Sequence, residues 1–306
     1  MPERSEHRSL GIVGVSLATF AWGLVPLVIK EVRMPTLAFA SYRLWLGVLI
    51  YGVALLVTGR RLTLRTIRFC ALGGVFFAID ISLTFSAFKL TTVANATIIG
   101  ALAPVFIALG AARWFGERFG PRDMAFMLAS LAGVFLVAFG SSGSPAWSPL
   151  GDTFAALSTL SWTSYWLFSK RIRRSVPTLE YLATVMLVAA IVVTSFTGIS
   201  GISLAPPRGM DWVWVVLLAA IPGAIGHLMV AWSHRHVEAW LASLITQGQP
   251  VVGSAAAWLV LGESLTVLTI IGGAIVLVAT AVIAVKEGLG TTEHDAEGTP
   301  AVVPDG

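Results

Sequence analysis

This sequence predicts an all-α polytopic membrane protein, with ten transmembrane helices arranged as two inverted five-helix repeats. Three observations carry that expectation. The chain is 56% hydrophobic and only 12% charged, against about 25% charged in a soluble domain. Its apolar residues fall into ten long runs separated by short polar connections. The second set of runs repeats the first. Gly11–Val32 aligns without a gap on Gly151–Ile172, with six identities in 22 columns that include Trp22/Trp162 and Lys30/Lys170. Val93–Phe119 then aligns with Ala239–Leu265. Pro104 matches Pro250, and Gly116-Glu117 matches Gly262-Glu263, 12 residues later in both halves. Two facing copies of a membrane unit are a way to build a binding site at the bilayer midplane, which points to transport.

A helix crosses the hydrocarbon core with about 20 apolar residues. The runs that qualify lie near 10–30, 36–58, 69–88, 93–112, 122–140, 151–170, 178–198, 212–232, 239–260 and 265–285. The first exceeds the roughly 7–15 apolar residues of a signal peptide and feeds directly into Lys30, so it reads as a retained span. Pro35 precedes the second span and Gly59 follows it; Pro121 opens the fifth. Gly143-Ser144-Pro145 separates the halves, Pro177 precedes the seventh span, and Pro206-Pro207 precede the eighth. The first repeat is therefore 10–140 and the second 151–285, with 286–306 expected to be a disordered cytoplasmic tail. No soluble domain interrupts the runs.

Lysine and arginine placement sets the expected orientation. With the N-terminus cytoplasmic, fifteen of the 20 fall inside: Arg4 and Arg8, the 60–68 loop, Arg113 to Arg122, Lys170 to Arg174, Arg235 and Lys286. Lys30, Arg33, Lys89 and Arg208 fall outside, and Arg43 lies within a span. Both termini are thus expected in the cytoplasm, in a cytoplasmic (inner) membrane. Five spans per repeat is an odd number, so the second copy enters from the opposite side. The net charge of +4 sits in short loops, which argues for a lipid bilayer and against nucleic acid as the partner. One cysteine, Cys70, rules out an internal disulfide or a thiolate metal cluster.

Two five-span halves, the Leu-Ala-Thr-Phe-Ala-Trp-Gly stretch of span 1, Arg43 in span 2, and Pro104 and Gly116-Glu117 with their echo Pro250 and Gly262-Glu263 together resemble the EamA family of the drug/metabolite transporter superfamily. The resemblance covers about 10–285. It implies a ten-helix inverted-repeat carrier that works by alternating access, usually as an exporter, and it leaves the substrate open. Span 7 departs from the pattern, because Ala183-Thr184-Val185-Met186 faces the Arg43 position. The halves therefore should not contribute equally to a site.

Polar groups inside a span are costly and need an account. Asp80 sits midway along span 3, where desolvation disfavours a charged carboxylate and lets it take up and release a proton during transport; the alternative is a neutral carboxyl held by a nearby Ser, Thr or backbone group. His227 lies in span 8, one residue past the repeat counterpart of Asp80. It can relay a proton or bind a polar substrate group, or simply bridge helices. Arg43 can meet a substrate carboxylate or Asp80, snorkel toward headgroups, or serve the architecture. Gln247 and Gln249 flank Gly248 before Pro250. They face different sides of a regular helix, so one of them lines a cavity, and freed carbonyls near Pro250 need partners. Asn95 and Thr97 precede Pro104, while the repeat counterpart of Gln247 is Ala101. Trp22 and Trp162 lie mid-helix, where they can wall a cavity or stack on a cation or pack between helices. Trp114, Trp147, Trp212 and Trp214 read as interfacial, and Glu117 and Glu263 as structural carboxylates, each following a helix-ending glycine and suited to the first turn of the next helix.

The function expected from these features is secondary active transport of a small metabolite, amino acid or drug, with the cavity between spans 1–4 and 6–9 and protons as a possible coupling ion. No metal or cofactor is expected. A receptor or assembly protein on a transporter fold is the alternative. An intramembrane enzyme is a weaker one, because the chain lacks His-Glu-x-x-His, a second midplane aspartate and Gly-x-Ser-x-Gly, and the lack of a Gly-x-x-x-x-Gly-Lys-[Ser/Thr] loop argues against ATP as a direct energy source.

Overall fold

Hydrophobic runs of this length leave the backbone only one way to satisfy its amides in lipid, and every regular element among the described residues is helical. The computed structural model describes the backbone of residues 2–142, 148–261 and 265–294, and the side chains of 7–140, 148–260 and 265–286. The helices in chain order are α1 Pro2–Gly23, α2 Val25–Glu31, α3 Thr36–Val57, α4 Leu64–Leu90, α5 Val93–Gly100, α6 Ala103–Phe115, α7 Pro121–Ser142, α8 Pro149–Ile172, α9 Thr178–Ile199, α10 Met210–Leu218, α11 His227–Ser233, α12 Ala239–Ile245, α13 Gln249–Leu261 and α14 Val267–His294.

Eight helical stretches are long and apolar enough to cross a membrane, among them His7–Glu31, Val93–Phe115 and Met210–Ser233, each built from shorter helices in line. Two further helical stretches, α8 and α12 with α13, are not among these eight. Large apolar side chains such as Val57, at 82% exposure, and Ile199, at 86%, face outward. A surface this apolar is stable only against lipid or a partner. Helix α8 carries many hydroxyls on the side it turns into the bundle, while Leu157 and Leu160 face outward. Twelve of its residues are buried, and Thr159 and Thr163 return their hydroxyls to the carbonyls four residues back, at 2.8 Å each.

The breaks follow the prolines. Pro26 opens α2, Pro104 lies in the first turn of α6, and Pro222 sits inside a π-helical turn over Ala219–Gly226. A one-turn 3₁₀ segment, Thr246–Gly248, joins α12 to α13 just before Pro250. Trp166 occupies the column that matches Pro26, and there α8 runs unbroken. The two halves therefore bend differently at aligned positions.

Packing pairs one half with the other: α7 with α14, α4 with α8 and α9, α3 with α9, and α1 with α11. The α7–α14 contact is backbone against backbone. A Cβ at Gly272 would lie 2.5 Å from the Gly133 carbonyl oxygen, and one at Gly133 would lie 2.7 Å from that of Gly272. Small residues permit such an approach where no water drives association.

Residues 286–294 of the segment expected to be a disordered tail are helical, because α14 continues to His294. Lys286, where the tail was to begin, pairs with Asp123 of α7 at 3.0 Å, and no proline intervenes to stop the helix. Residues 295–306, Gly143-Ser144-Pro145, Trp147 and Gly262-Glu263 lie outside the described residues. Glu117 does not serve the next helix in sequence; it caps α12.

The close glycine contact generates a stability prediction. Gly272→Val should lower the thermal midpoint of the purified protein in detergent, since overpacking costs about 1–3 kcal/mol, while Gly100→Ala, with open space around it, should change it far less.

Candidate functional site

Irregular backbone at membrane depth needs donors from neighbouring elements, and these donors shape the centre of the molecule. An unbroken α-helix would aim residue 222's amide at the Leu218 carbonyl, but Pro222 has none. Arg43 Nε of α3 donates to that oxygen at 3.0 Å. Trp22 Nε1 of α1 donates to the Pro222 carbonyl at 2.9 Å, and Tyr51 Oη of α3 to that of Ala224 at 2.6 Å. Three side chains of the first half thus satisfy one π-turn of the second. Gly226 permits this approach, since a Cβ there would meet Trp22 Nε1 at 2.9 Å. The reverse exchange occurs at Pro104. The amide of Val105 turns to the Leu102 carbonyl at 3.1 Å, and Gln247 Nε2 donates to the Ala101 oxygen at 3.4 Å.

Beside these ties lies a cavity of about 1300 Å³, larger than the roughly 300–1,000 Å³ of most small-molecule sites. It opens at the molecular end that carries Lys30, Leu90, Thr91, Ser148 and Thr266, and it reaches inward to Trp22, Phe77, Trp162, His227 and Gln247. None of its lining residues comes from the opposite helix ends around Arg8, Glu117, Lys170 or Ala239. Both halves contribute. Of the eight residues singled out from the sequence, Asp80, His227, Arg43, Trp22, Trp162, Gln247 and Gln249 all line it. The short 3₁₀ segment is why both glutamines do, rather than one. Gln247 is also held from behind, accepting from Ser130 Oγ at 3.0 Å.

Asn95 is the eighth, and it is not among the lining residues. Its Nδ2 donates to both carboxylate oxygens of Asp152, at 3.0 and 3.2 Å, which ties α5 to α8. The wall also departs from the expected spans. Val134, Val137 and Ala138 of α7 line it, whereas no residue of α9 does. Leu182, Val185, Met186 and Ala189 of α9 are buried behind α3 and α4 instead.

The chemistry of the cavity floor is mixed. Asp80 accepts one hydrogen bond, from Thr84 Oγ1 one turn on, at 3.2 Å. Arg43 and Asp80 lie near enough to attract, but no hydrogen bond or ion pair joins them. The guanidinium also sits over Phe85, 5.5 Å from its centroid. His227 is enclosed by rings, with centroids of Phe77 at 4.7 Å, Trp22 at 5.1 Å, Tyr165 at 6.1 Å and Trp162 at 6.2 Å. Tyr165 Oη stands 3.5 Å from its Nδ1. Trp22 and Trp162 themselves meet edge to face at 5.4 Å, a favourable aromatic geometry.

Sequence reasoning missed Tyr51, Phe77 and Thr84. Tyr51 carried a usable signal, being a hydroxyl in an otherwise apolar run. Phe77 carried none, because a phenylalanine in a membrane span is the ordinary residue. Arg43→Met should destabilise the fold by about 1.5–3 kcal/mol, the cost of removing a buried hydrogen bond from a charged donor. Arg43→Lys should recover part of that loss, as read by thermal unfolding in detergent.

The comparisons with known proteins agree on one answer. The EamA-like transporter family matches residues 9–139 and again 149–285. The aromatic amino acid exporter YddG of Ancylobacter novellus is 29% identical over 178 residues, spanning 56% of this chain and 59% of that protein. The pseudopaline exporter CntI of Pseudomonas aeruginosa is 21% identical over 273 residues, 88% and 94% of the two chains. A solved crystal structure superposes with a TM-score of 0.78 at 23% identity, covering 94% of this chain and 99% of its own, and so shares the fold. With both halves matched by the family and a cavity built between them, this chain belongs to the EamA-like transporter family.

Proposed function

We propose that this protein is a secondary carrier that moves a small molecule by alternating access, in the direction of export, with protons as coupling ion. The observation that carries the reading is the one-ended cavity, lined by both halves and continuous with only one end of the molecule. A carrier needs such a site reachable from one side at a time.

Two contacts support a two-fold relation between the repeats. Trp22 touches Trp162, its aligned counterpart, at 5.4 Å. Gln247 donates to the carbonyl of Ala101, also its counterpart, at 3.4 Å. A residue that touches its own symmetry mate lies at the axis, which here runs beside the cavity. The open end holds Lys30 and the other holds Lys170. By the Lys and Arg bias the open end is outward, both termini are cytoplasmic, and the membrane is the inner one.

Asp80 is the proton site in this reading. It is a half-buried carboxyl facing the cavity, with a hydroxyl as its hydrogen-bond partner. The aromatic floor around His227 suits a planar or apolar part of the substrate. The name of the Ancylobacter relative makes aromatic amino acids the first compounds to try.

Proteoliposomes loaded with a pH-sensitive dye test the whole reading. A panel of aromatic amino acids, organic cations and carboxylates should contain a compound whose gradient moves protons through the protein and not through Asp80→Asn. Equal flux with and without Asp80, and no proton signal, would make the protein a facilitator and overturn the coupling. No flux for any compound would favour a receptor or assembly role.

A further inference from the structure

Lys30 and Lys170 occupy the same column of the internal alignment, yet they live in opposite surroundings. Lys30 is exposed at the cavity mouth. Lys170 is buried at the far end, where its Nζ lies 3.5 Å from Glu117 Oε1 and donates to the Val237 carbonyl.

Glu117 makes that end a junction. Gly116 ends α6 in the left-handed conformation, at φ 68°, and turns the chain so that the next side chain points at another helix. The Glu117 carboxylate accepts from the Ala239 amide at 2.9 and 3.1 Å and lies 3.4 Å from the Trp240 amide. A carboxylate is favourable at a helix N-terminus. This one therefore fastens the end of α6, from the first half, to the start of α12 and the last turn of α8, from the second. Arg8 of α1 adds a tie to Glu238 at 2.8 Å.

We infer that Glu117 and Lys170 are positioning residues that hold this end of the cavity shut, and that the carrier opens there only when they part. The inference rests on the alternating-access reading above. In the reciprocal state the two lysines exchange surroundings, Lys170 becoming exposed and Lys30 buried. Removing one member of a buried pair strands the other and weakens the closed arrangement, so the population should move toward opening at the Lys170 end.

The test uses the full chain with Cys70→Ala and Thr97→Cys, which places one thiol on the cavity wall. A membrane-impermeant maleimide is applied to membrane vesicles of each orientation. The parent should label from the face that bears Lys30. Glu117→Gln and Lys170→Met should each raise labelling from the opposite face by about tenfold, and Lys170→Arg should restore the parental pattern. Glu117→Gln keeps an acceptor for the α12 amides, so it removes the charge without uncapping the helix, and it decides the matter even if Lys170→Met does not fold. Unchanged sidedness in a stable Glu117→Gln protein would overturn the lock. Substrate flux, measured separately on the parent in proteoliposomes, distinguishes the two readings: flux with unchanged labelling defeats the lock alone, whereas no flux with shifted labelling defeats the transport reading alone.

Discussion

The central constraint on this molecule is that every carbonyl released by a proline must find a donor where there is no water to supply one. Pro222 imposes it most sharply. Its π-turn is satisfied by Arg43, Trp22 and Tyr51, and each of those bonds crosses from one half of the chain to the other. An amide–carbonyl bond is worth about 4–6 kcal/mol in an apolar medium. Lipid takes away the alternative partner that makes such bonds cheap to exchange in water. The breaks at Pro222 and Pro104 are therefore seams: at each of these two, the irregular backbone of one half is held by a side chain of the other, and the cavity lies beside them.

This constraint gives residues with ligand-like chemistry an architectural occupation. Arg43 and Trp22 both reach the cavity, but each has already committed a donor to a carbonyl. Gln247 spends its amide on Ala101 and its oxygen on Ser130. Asp80 is different, since its bond is to a hydroxyl that can donate or accept. The wall is thus largely preorganised by bonds to itself, and the polar capacity left for a passenger is concentrated at a few groups. Around them lies a box of rings, which supplies area with few rotatable bonds to immobilise.

The membrane class and the helical runs were legible in the sequence, and seven of the eight residues singled out there line the cavity, because intramembrane polarity is rare and each instance marks something. Asn95 was misleading for a physical reason: an amide near a helix start is as well used on a neighbouring carboxylate as on a ligand, and Asp152 lies 57 positions away in the chain. The replacement of α9 by α7 in the wall was likewise invisible, since both are apolar all round and periodicity cannot tell which neighbour buries which face. Glu117 looked local because its glycine ends a helix next to it in sequence. Its true partner is 122 residues on. Nonlocal pairing of this kind leaves no trace in a single chain.

Pro26 and Trp166 stand in one aligned column, and only the first breaks its helix. A carrier assembled from two identical subunits has two end states of equal energy by symmetry, so its resting orientation is a coin toss decided by the ligands on either side. Fusing and diverging the copies removes that degeneracy. Here the kink belongs to one half alone, so if the proposed alternation takes place its end states are not equivalent by symmetry. On the alternating-access reading proposed above, an idle carrier of this kind has a preferred side, and the work of turning it over is set by sequence before any substrate arrives.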